Sequence, residues 1–473
     1  MSPITQSSRK LERCCQLLHS AHYPLNNTMN KRLLFLFIIL LILAAIMTIP
    51  YWAGGEAERQ FAQFNQAFYP AMNLKPVENT YQRGWFHSYA VSTFDTPATF
   101  EPAPNERFVL LHEIEHGFVP IQSTLVRTTL HTAPLSSAKS TEVEAALLEV
   151  RTAVQTNGDS LSTLTMPALT IKNNNVHLQW QGLQGSVYVK HNFATVEAEM
   201  HSPQVQLNTP QGRMVIQNAQ FNVLTQPGAD FIPNEGSLSI ADMQLTGFQM
   251  LPVKLEGIKL HGSNHVIDEN LRIAVNTKLQ QIHVGTERYG PIYGDFELRH
   301  LHAPTLQRIK NTLVKIHHQR LSSPNRGGNM AMYRLMSDGM ALLKNAPEFA
   351  MTRLHFNTPK GELQGDLRLK IEAFEGIVFA LFNPSLLINA LNAQLEMHIP
   401  QSLFQQLTEE TLPGITPAAQ HKIRQHLKTW LVQGILVPAK NKPDYYYTRM
   451  QLQAGVLQVN GQRLPITALT IDN

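Results

Sequence analysis

Residues His112 to His116 spell HEIEH, the pattern with which zinc peptidases hold their metal ion. In those enzymes the pattern lies on a helix, so that two histidines one turn apart bind zinc and the first glutamate activates a water molecule. Here those roles would fall to His112, His116 and Glu113. Candidate third ligands follow downstream, in a segment that would have to be helical: Glu142, Glu144 and Glu149. The first hypothesis is therefore a zinc-dependent hydrolase.

The residues around HEIEH favour a strand over a helix. Side chains alternate between two faces through RFVLLHEIEHGF, and the next segment, PIQSTLVRTTLH, alternates again. In a strand His112 and His116 are about 13 Å apart, which is too far to share one zinc ion, and Glu113 lies on the opposite face. We therefore expect two histidines on a strand face, with no catalytic residue, no metal and no cofactor. The hydrolase remains the alternative.

Composition and motifs exclude several other kinds of chemistry. The sequence contains no P-loop, no dinucleotide-binding glycine motif and no Gly-x-Ser-x-Gly elbow. Both cysteines, Cys14 and Cys15, lie near the N-terminus, so the later chain has neither a disulfide nor a cysteine nucleophile. Residues 1–53 hold five Lys and Arg and one acidic residue, whereas the rest holds 34 basic and 34 acidic residues. This neutral body gives no support to nucleic-acid binding.

One apolar segment predicts a membrane anchor. KRLLFLFIILLILAAIMTIPYW carries no charge between Leu33 and Trp52, which is about the length that spans a bilayer core. Basic residues precede it and the aromatic pair Tyr51 and Trp52 ends it, as is typical of an anchor whose N-terminus stays in the cytoplasm. We predict a cytoplasmic tail at 1–32 and a transmembrane helix at 33–53. Residues 1–28 are interpreted as an over-long start before Met29, and a cleaved signal peptide is the alternative to the anchor.

Two periodicities predict the elements after the anchor. Phe61, Phe64 and Phe68 have the spacing of a short amphipathic helix. From Tyr89 to about His302 apolar and polar residues alternate with period two, which indicates half-buried antiparallel strands. Helical patterns then follow at Thr305 to Gln319, Asn329 to Asn345, Gln401 to Thr411 and Thr416 to Gln433.

These elements predict an α+β, β-rich fold: a long antiparallel sheet or sandwich with several covering helices, after one N-terminal transmembrane helix. We divide the part outside the membrane into a β-rich region at 54–303, with the short juxtamembrane helix, and a mixed α/β region at 304–473 that continues the sheet. Asn460 and Gly461 predict a tight hairpin near the end, because both residues tolerate positive φ.

Several landmarks resemble the YdgA-like proteins of Gram-negative bacteria, a family with a domain of unknown function. The matching pieces are GGEAE after the anchor, YQRGWFHSYA, a strand ending in His116 and Gly117, and the ending GVLQVNGQRLP. The resemblance covers about residues 29–473. It implies a single inner-membrane anchor with the body in the periplasm, and its most specific residues are Arg83, Gly84, Trp85, Val459, Asn460 and Gly461.

None of these family residues is evidently catalytic. Arg83, Gly84 and Trp85 would suit a corner on which a ligand stacks. A glycine turn beside a packed tryptophan is the interpretation that we favour.

The function expected from this sequence is that of a non-enzymatic, inner-membrane-anchored periplasmic protein. Its long sheet would serve as a binding or scaffolding surface in cell-envelope maintenance. The apolar face would form a groove for lipid, by analogy with other long open sheets that shield acyl chains. A structural partner in an envelope complex is a further alternative. We expect contact with the inner membrane, a lipid ligand and a homo-oligomer as partners, and no nucleic acid.

Overall fold

The computed structural model describes most of the chain after residue 75 and a few residues before it. The described residues are 39–40, 51, 54–55, 57–59, 61–62, 65, 76–95, 106–116, 124–134, 146–155, 157–172, 175–191, 194–225, 234–248, 251–322, 328–373, 384–409 and 417–465. Within them, 24 strands belong to one sheet and are named β1 to β24 in chain order.

The strands of the first half are β1 (Pro76–Gln82), β2 (His87–Asp95), β3 (Glu106–Glu115), β4 (Thr124–Pro134), β5 (Leu148–Val154), β6 (Ser160–Met166), β7 (Leu169–Lys172), β8 (His177–Trp180), β9 (Leu183–Val189), β10 (Val196–Asn208), β11 (Gly212–Thr225) and β12 (Glu235–Gly247). Those of the second half are β13 (Val253–Ile267), β14 (Asn270–Leu279), β15 (Gln281–Val284), β16 (Glu287–Tyr289), β17 (Ile292–His302), β18 (Glu348–Thr358), β19 (Gly361–Ile371), β20 (Leu391–Pro400), β21 (Val437–Ala439), β22 (Lys442–Gln453), β23 (Val456–Val459) and β24 (Gln462–Leu464).

Among the described residues after 75, five helices lie between the strands: α1 (Ala303–Ser322), α2 (Gly328–Leu343), α3 (Pro384–Ala390), α4 (Gln401–Glu409) and α5 (Pro417–Val432). Four of them, α1, α2, α4 and α5, coincide with the predicted helical patterns. The described residues between 51 and 65 are also helical, and are called here the N-terminal helical segment. Phe61 belongs to it, whereas Phe64 and Phe68 lie outside the described residues.

The sheet is one long antiparallel meander. Strands that follow one another pair along the path β1 to β6, β9 to β14, β17 to β20 and β22 to β24. The hairpin β7–β8 pairs with β10, and the hairpin β15–β16 pairs with β13. Among the described strands, β1 pairs only with β2 and β24 only with β23, so both edges are open. The prediction of a long antiparallel sheet is confirmed, and the described strands form one sheet, not a sandwich.

The register separates apolar from polar side chains. Directly opposed residues of antiparallel strands lie on the same face. One unbroken apolar row crosses β14 to β23 through Val275, Phe296, Met351, Leu367, Leu395, Met450 and Val459. Another crosses β10 to β13 through Met200, Phe221, Leu238 and Leu260. We call this side of the sheet the apolar face.

The alternation shifts by one residue midway along the central strands. In β10 the apolar residues are even-numbered before Pro203 and odd-numbered after it. Pro203 has no N–H to donate, and it lies opposite Asn218, which has a φ of 50°. The ladder skips this pair. Across the shift, Trp180 Nε1 donates to Ser202 Oγ at 2.8 Å, so the apolar side chains of both halves lie on the same face.

Helices α4 and α5 cover the apolar face at the C-terminal end of the sheet. Their side chains surround Ile399 of β20 and Leu436, and the buried members contributed by α4 are Leu403 and Phe404. Trp430 of α5 packs against the next cluster along the face, which consists of Ile435, Leu457 and Val459. This end therefore has a closed hydrophobic core.

Within the part of the chain that the structure describes, no helix is both long and apolar enough to cross a membrane. The anchor predicted at 33–53 falls outside the described residues except at 39, 40 and 51, which are helical. The cytoplasmic tail predicted at 1–32 lies outside them altogether. The anchor and the tail therefore stay predictions. The division predicted between 303 and 304 also stays a prediction, and β17 pairs with β18 across it.

Candidate functional site

The HEIEH segment is a strand, as the alternation predicts. Its first four residues are in β3 and His116 follows directly. His112 and His116 are 6% and 5% exposed on the apolar face, whereas Glu113 is exposed on the other face, with its Oε2 3.6 Å from Arg127 Nη1. The carboxylate that would activate water in a zinc peptidase is thus on the wrong side of the sheet. Among the described residues, no group of His, Cys, Asp and Glu is arranged to hold a metal ion.

His112 is part of a packed interface. Its Nδ1 lies 2.8 Å from Thr128 Oγ1 on the neighbouring strand. The ring of Phe61, from the N-terminal helical segment, contacts the His112 ring edge-on at 5.0 Å and the Tyr81 ring at 5.6 Å. Burial lowers the pKa of His112 to about 4, so the imidazole is neutral at neutral pH. Phe61 therefore packs onto the sheet.

His116 contacts the same helical segment. Its Nε2 lies 2.8 Å from Ser88 Oγ. A Cβ at Gly54 would be only 3.0 Å from this nitrogen. The helical segment can approach the His116 ring this closely because residue 54 is glycine. Burial, and then the nearby charges of His87 and Arg83, lower the pKa of His116. Gly117, the other half of this family motif, lies outside the described residues.

Arg83 joins the β1–β2 turn to the helical segment. It donates to the Tyr51 carbonyl, its guanidinium lies 4.1 Å from the centre of the Tyr51 ring, and its Nη1 is 4.0 Å from Glu58 Oε2. Gly84 makes the turn tight, because a Cβ there would be 2.0 Å from the His87 carbonyl oxygen. Trp85 is 47% exposed, and its ring packs against the Tyr51 ring at a centroid distance of 5.1 Å.

The C-terminal family motif is a structural turn. Asn460 and Gly461 have φ values of 50° and 85°, which confirms the predicted hairpin. The Asn460 Nδ2 donates to the carbonyls of Gly434 and Ile435 at 2.9 and 3.0 Å, and its Oδ1 accepts from Arg449 N at 2.8 Å. Val459 is 1% exposed. These residues hold the last hairpin against the turn after α5.

The polar face carries ion pairs that bridge neighbouring strands. Glu149, a candidate zinc ligand if its segment were helical, instead lies on strand β5 and accepts from Arg151 Nε at 2.7 Å and from Arg127 Nε at 2.9 Å. These bonds, the one from Arg151 first, lower the pKa of Glu149. A second chain of ion pairs crosses β14 to β19 through Arg272, Glu297, Arg299, Glu348 and Arg368.

In the middle of the apolar face, several of the described side chains are partly exposed. Phe221, Leu260 and Leu298 expose 43%, 37% and 39% of their surface, although each belongs to a row of apolar neighbours. The described helices that contact this face do so at its two ends, through the N-terminal helical segment and through α4 and α5. Large exposed apolar surfaces of this kind mark binding sites. Sequence alternation predicts such a face, but the shift at Pro203 prevents assignment of its residues without the register.

The comparisons with known proteins identify a family without an assigned activity. A family model described as "Bacterial protein of unknown function (DUF945)" matches residues 29–467, which include all described strands. No curated protein and no solved structure matches the chain. The function therefore has to be argued from the arrangement of the residues.

Proposed function

The chain belongs to the bacterial DUF945 family, and we propose that it is a non-enzymatic cell-envelope protein whose open apolar face binds lipid acyl chains. The observation that carries this proposal is the half-exposed apolar row across β10 to β13, which includes Phe221 and Leu260. An apolar surface of this length needs a ligand, a partner or a second layer to cover it. Among these, an acyl chain fits a row of aliphatic and aromatic side chains without polar groups.

Apolar contact along the row would contribute several kilocalories per mole to lipid binding. Each methylene that leaves water contributes about 0.8 kcal/mol. Eight methylenes laid along the row would contribute about 6 kcal/mol before the cost of association is subtracted. A lipid with two chains exceeds this figure, so the face need not bury each chain completely.

The proposal also assigns a cellular location to each part of the chain. We infer that residues 33–53 anchor the protein in the inner membrane, that residues 1–32 are cytoplasmic, and that the body is periplasmic, as in the YdgA-like proteins. The positive charges before the apolar run and the aromatic pair after it support this orientation. The absence of cysteine after Cys15 is compatible with an oxidising compartment, since no thiol is exposed there.

A matched pair of substitutions tests the proposal. Leu238 and Ser239 are neighbours on β12, but Leu238 pairs with Phe221 on the apolar face and Ser239 pairs with Gln220 on the polar face. The full-length protein, extracted from its own membrane in mild detergent, should carry stoichiometric lipid in native mass spectrometry. Leu238→Asp should remove this lipid, because a carboxylate on the row cannot be covered by an acyl chain. Ser239→Asp should retain it.

Circular dichroism provides the control for folding, and the mass spectra show whether the proposal fails. Circular dichroism should show equal strand content for both variants and the wild type. Lipid retained by Leu238→Asp, or lipid absent from the wild type, would contradict the proposal. The masses also report whether the protein is a homo-oligomer, and one zinc ion per chain lost in His112→Asn would favour the hydrolase instead.

A further inference from the structure

The turn between β1 and β2 exposes aromatic side chains. Trp85 and Phe86 are 47% and 38% exposed at the tip of this turn. Tyr51, 48% exposed, lies beside them, with its ring 5.1 Å from the Trp85 ring. Arg83 fixes this arrangement through the Tyr51 carbonyl and the Tyr51 ring. Tyr51 and Trp85 therefore form an exposed aromatic pair, and together with Phe86, the next residue in the chain, they are called here the aromatic tip.

The position of Tyr51 in the chain indicates what the aromatic tip contacts. Tyr51 directly follows the apolar run that starts at Leu33. Ile39 and Leu40, the described residues of that run, are helical and expose 41% and 57% of their surface. If this run spans the bilayer, Tyr51 lies where the helix leaves it, and the Trp85 ring is held at the same level.

We propose that the aromatic tip enters the headgroup region of the inner membrane and seats the first edge of the sheet on the bilayer. Tryptophan and tyrosine are enriched at this depth, because their rings are apolar and their N–H and O–H groups stay hydrated. The proposal commits to lipid as the occupant, since the patch is continuous with the predicted end of the anchor. It rests on the anchored topology of the proposed function.

This placement deepens the proposed function. The N-terminal helical segment and β1 to β3 form the first end of the apolar face, as the contact of Phe61 with His112 shows. With the aromatic tip in the membrane surface, that end of the face lies beside the lipids of the outer leaflet. An acyl chain then reaches the face without crossing open water.

Tryptophan fluorescence tests the aromatic tip in the full-length protein. The chain has four tryptophans, Trp52, Trp85, Trp180 and Trp430, and replacement of three by Phe leaves one reporter. Each single-tryptophan protein is placed in phosphatidylcholine nanodiscs, with or without lipid brominated near the start of its acyl chains. Bromine quenches a neighbouring indole. We expect loss of fluorescence for the Trp52 and Trp85 reporters and none for Trp430, which is packed against Ile435.

The Trp52 and Trp85 reporters distinguish failure of the aromatic tip from failure of the anchor. Quenching of Trp52 without quenching of Trp85 would overturn the aromatic tip and leave the anchor in place. Quenching of neither would refute the anchor, and this inference with it. If the tryptophan variants do not fold, Phe86→Cys in a chain with Cys14→Ser and Cys15→Ser takes a single spin label. Greater accessibility of that label to oxygen than to a water-soluble nickel complex is the expected result, and the reverse would overturn the proposal.

Discussion

His112 is the residue whose burial has the clearest consequence for pH dependence. Its pKa falls from 6.5 to about 4 because the folded protein removes the ring from water. Below 6.5 the unfolded chain binds a proton that the folded protein does not take up until about pH 4. The free energy of unfolding should therefore decrease as the pH falls through this range, by about 3 kcal/mol at most. Urea unfolding at a series of pH values measures it.

Two histidine variants isolate this effect. His112→Asn removes the titrating ring and keeps a polar atom near Thr128, so its unfolding free energy should change less between pH 6.5 and about 4. His261→Asn changes an exposed histidine on β13 and is the control for the substitution itself. Identical profiles for His112→Asn and the wild type would show that another group is responsible.

At the residue scale, the sequence predicts which face of a strand His112 occupies but not what covers it. Alternation around HEIEH is local, and it is sufficient to place Glu113 opposite the histidines. The covering residue Phe61 is about fifty positions away in the chain, and its contact with His112 depends on how the helical segment docks. The exposure of Trp85 is not predictable for the same reason, because a turn motif does not reveal whether a second element buries its aromatic ring.

At the scale of elements, the β23–β24 hairpin is held by the side chain of Asn460. Asn460→Gly keeps the positive φ but loses three hydrogen bonds, so the free energy of unfolding should fall by about 2–3 kcal/mol. Asn460→Ala loses the same bonds and adds about 1–2 kcal/mol of backbone strain. Urea unfolding followed by circular dichroism should thus rank the wild type above Asn460→Gly and that variant above Asn460→Ala.

Asn218→Gly is the matched control for this ranking. Asn218 has the same φ of 50° but lies exposed within β11. Its replacement should change the free energy of unfolding only slightly. Equal losses for Asn218→Gly and Asn460→Gly would mean that the backbone conformation, and not the three hydrogen bonds, accounts for the role of Asn460.

The elements themselves were largely predictable, and their registers were not. Period-two alternation identifies most strands, and Asn460 with Gly461 identifies the last hairpin. The shift at Pro203 and Asn218 continues across β12 and β13, where each ladder also skips one pair, and no single strand encodes it. Likewise, the bonds from Asn460 to the turn at Gly434 and Ile435 join segments about 25 residues apart.

At the scale of the whole molecule, the described elements that cover the apolar face lie at its two ends, and described side chains between them remain partly exposed. Composition and alternation predict a long antiparallel sheet with an apolar face. They do not predict how far the helices cover it, because coverage depends on the positions of α4, α5 and the N-terminal helical segment relative to the face. The uncovered middle around Phe221 is the feature from which the lipid-binding function is inferred.

The most direct test of that function is crosslinking in living cells at two neighbouring positions of β11. Phe221 lies on the apolar face, 43% exposed, and Asn222 lies on the polar face opposite Ser237. A photoreactive phenylalanine analogue is introduced at one position or the other in cells fed with radiolabelled fatty acid. The account predicts labelled lipid crosslinked to the protein from position 221 and not from position 222. Equal labelling from both positions, or none from 221, would contradict it.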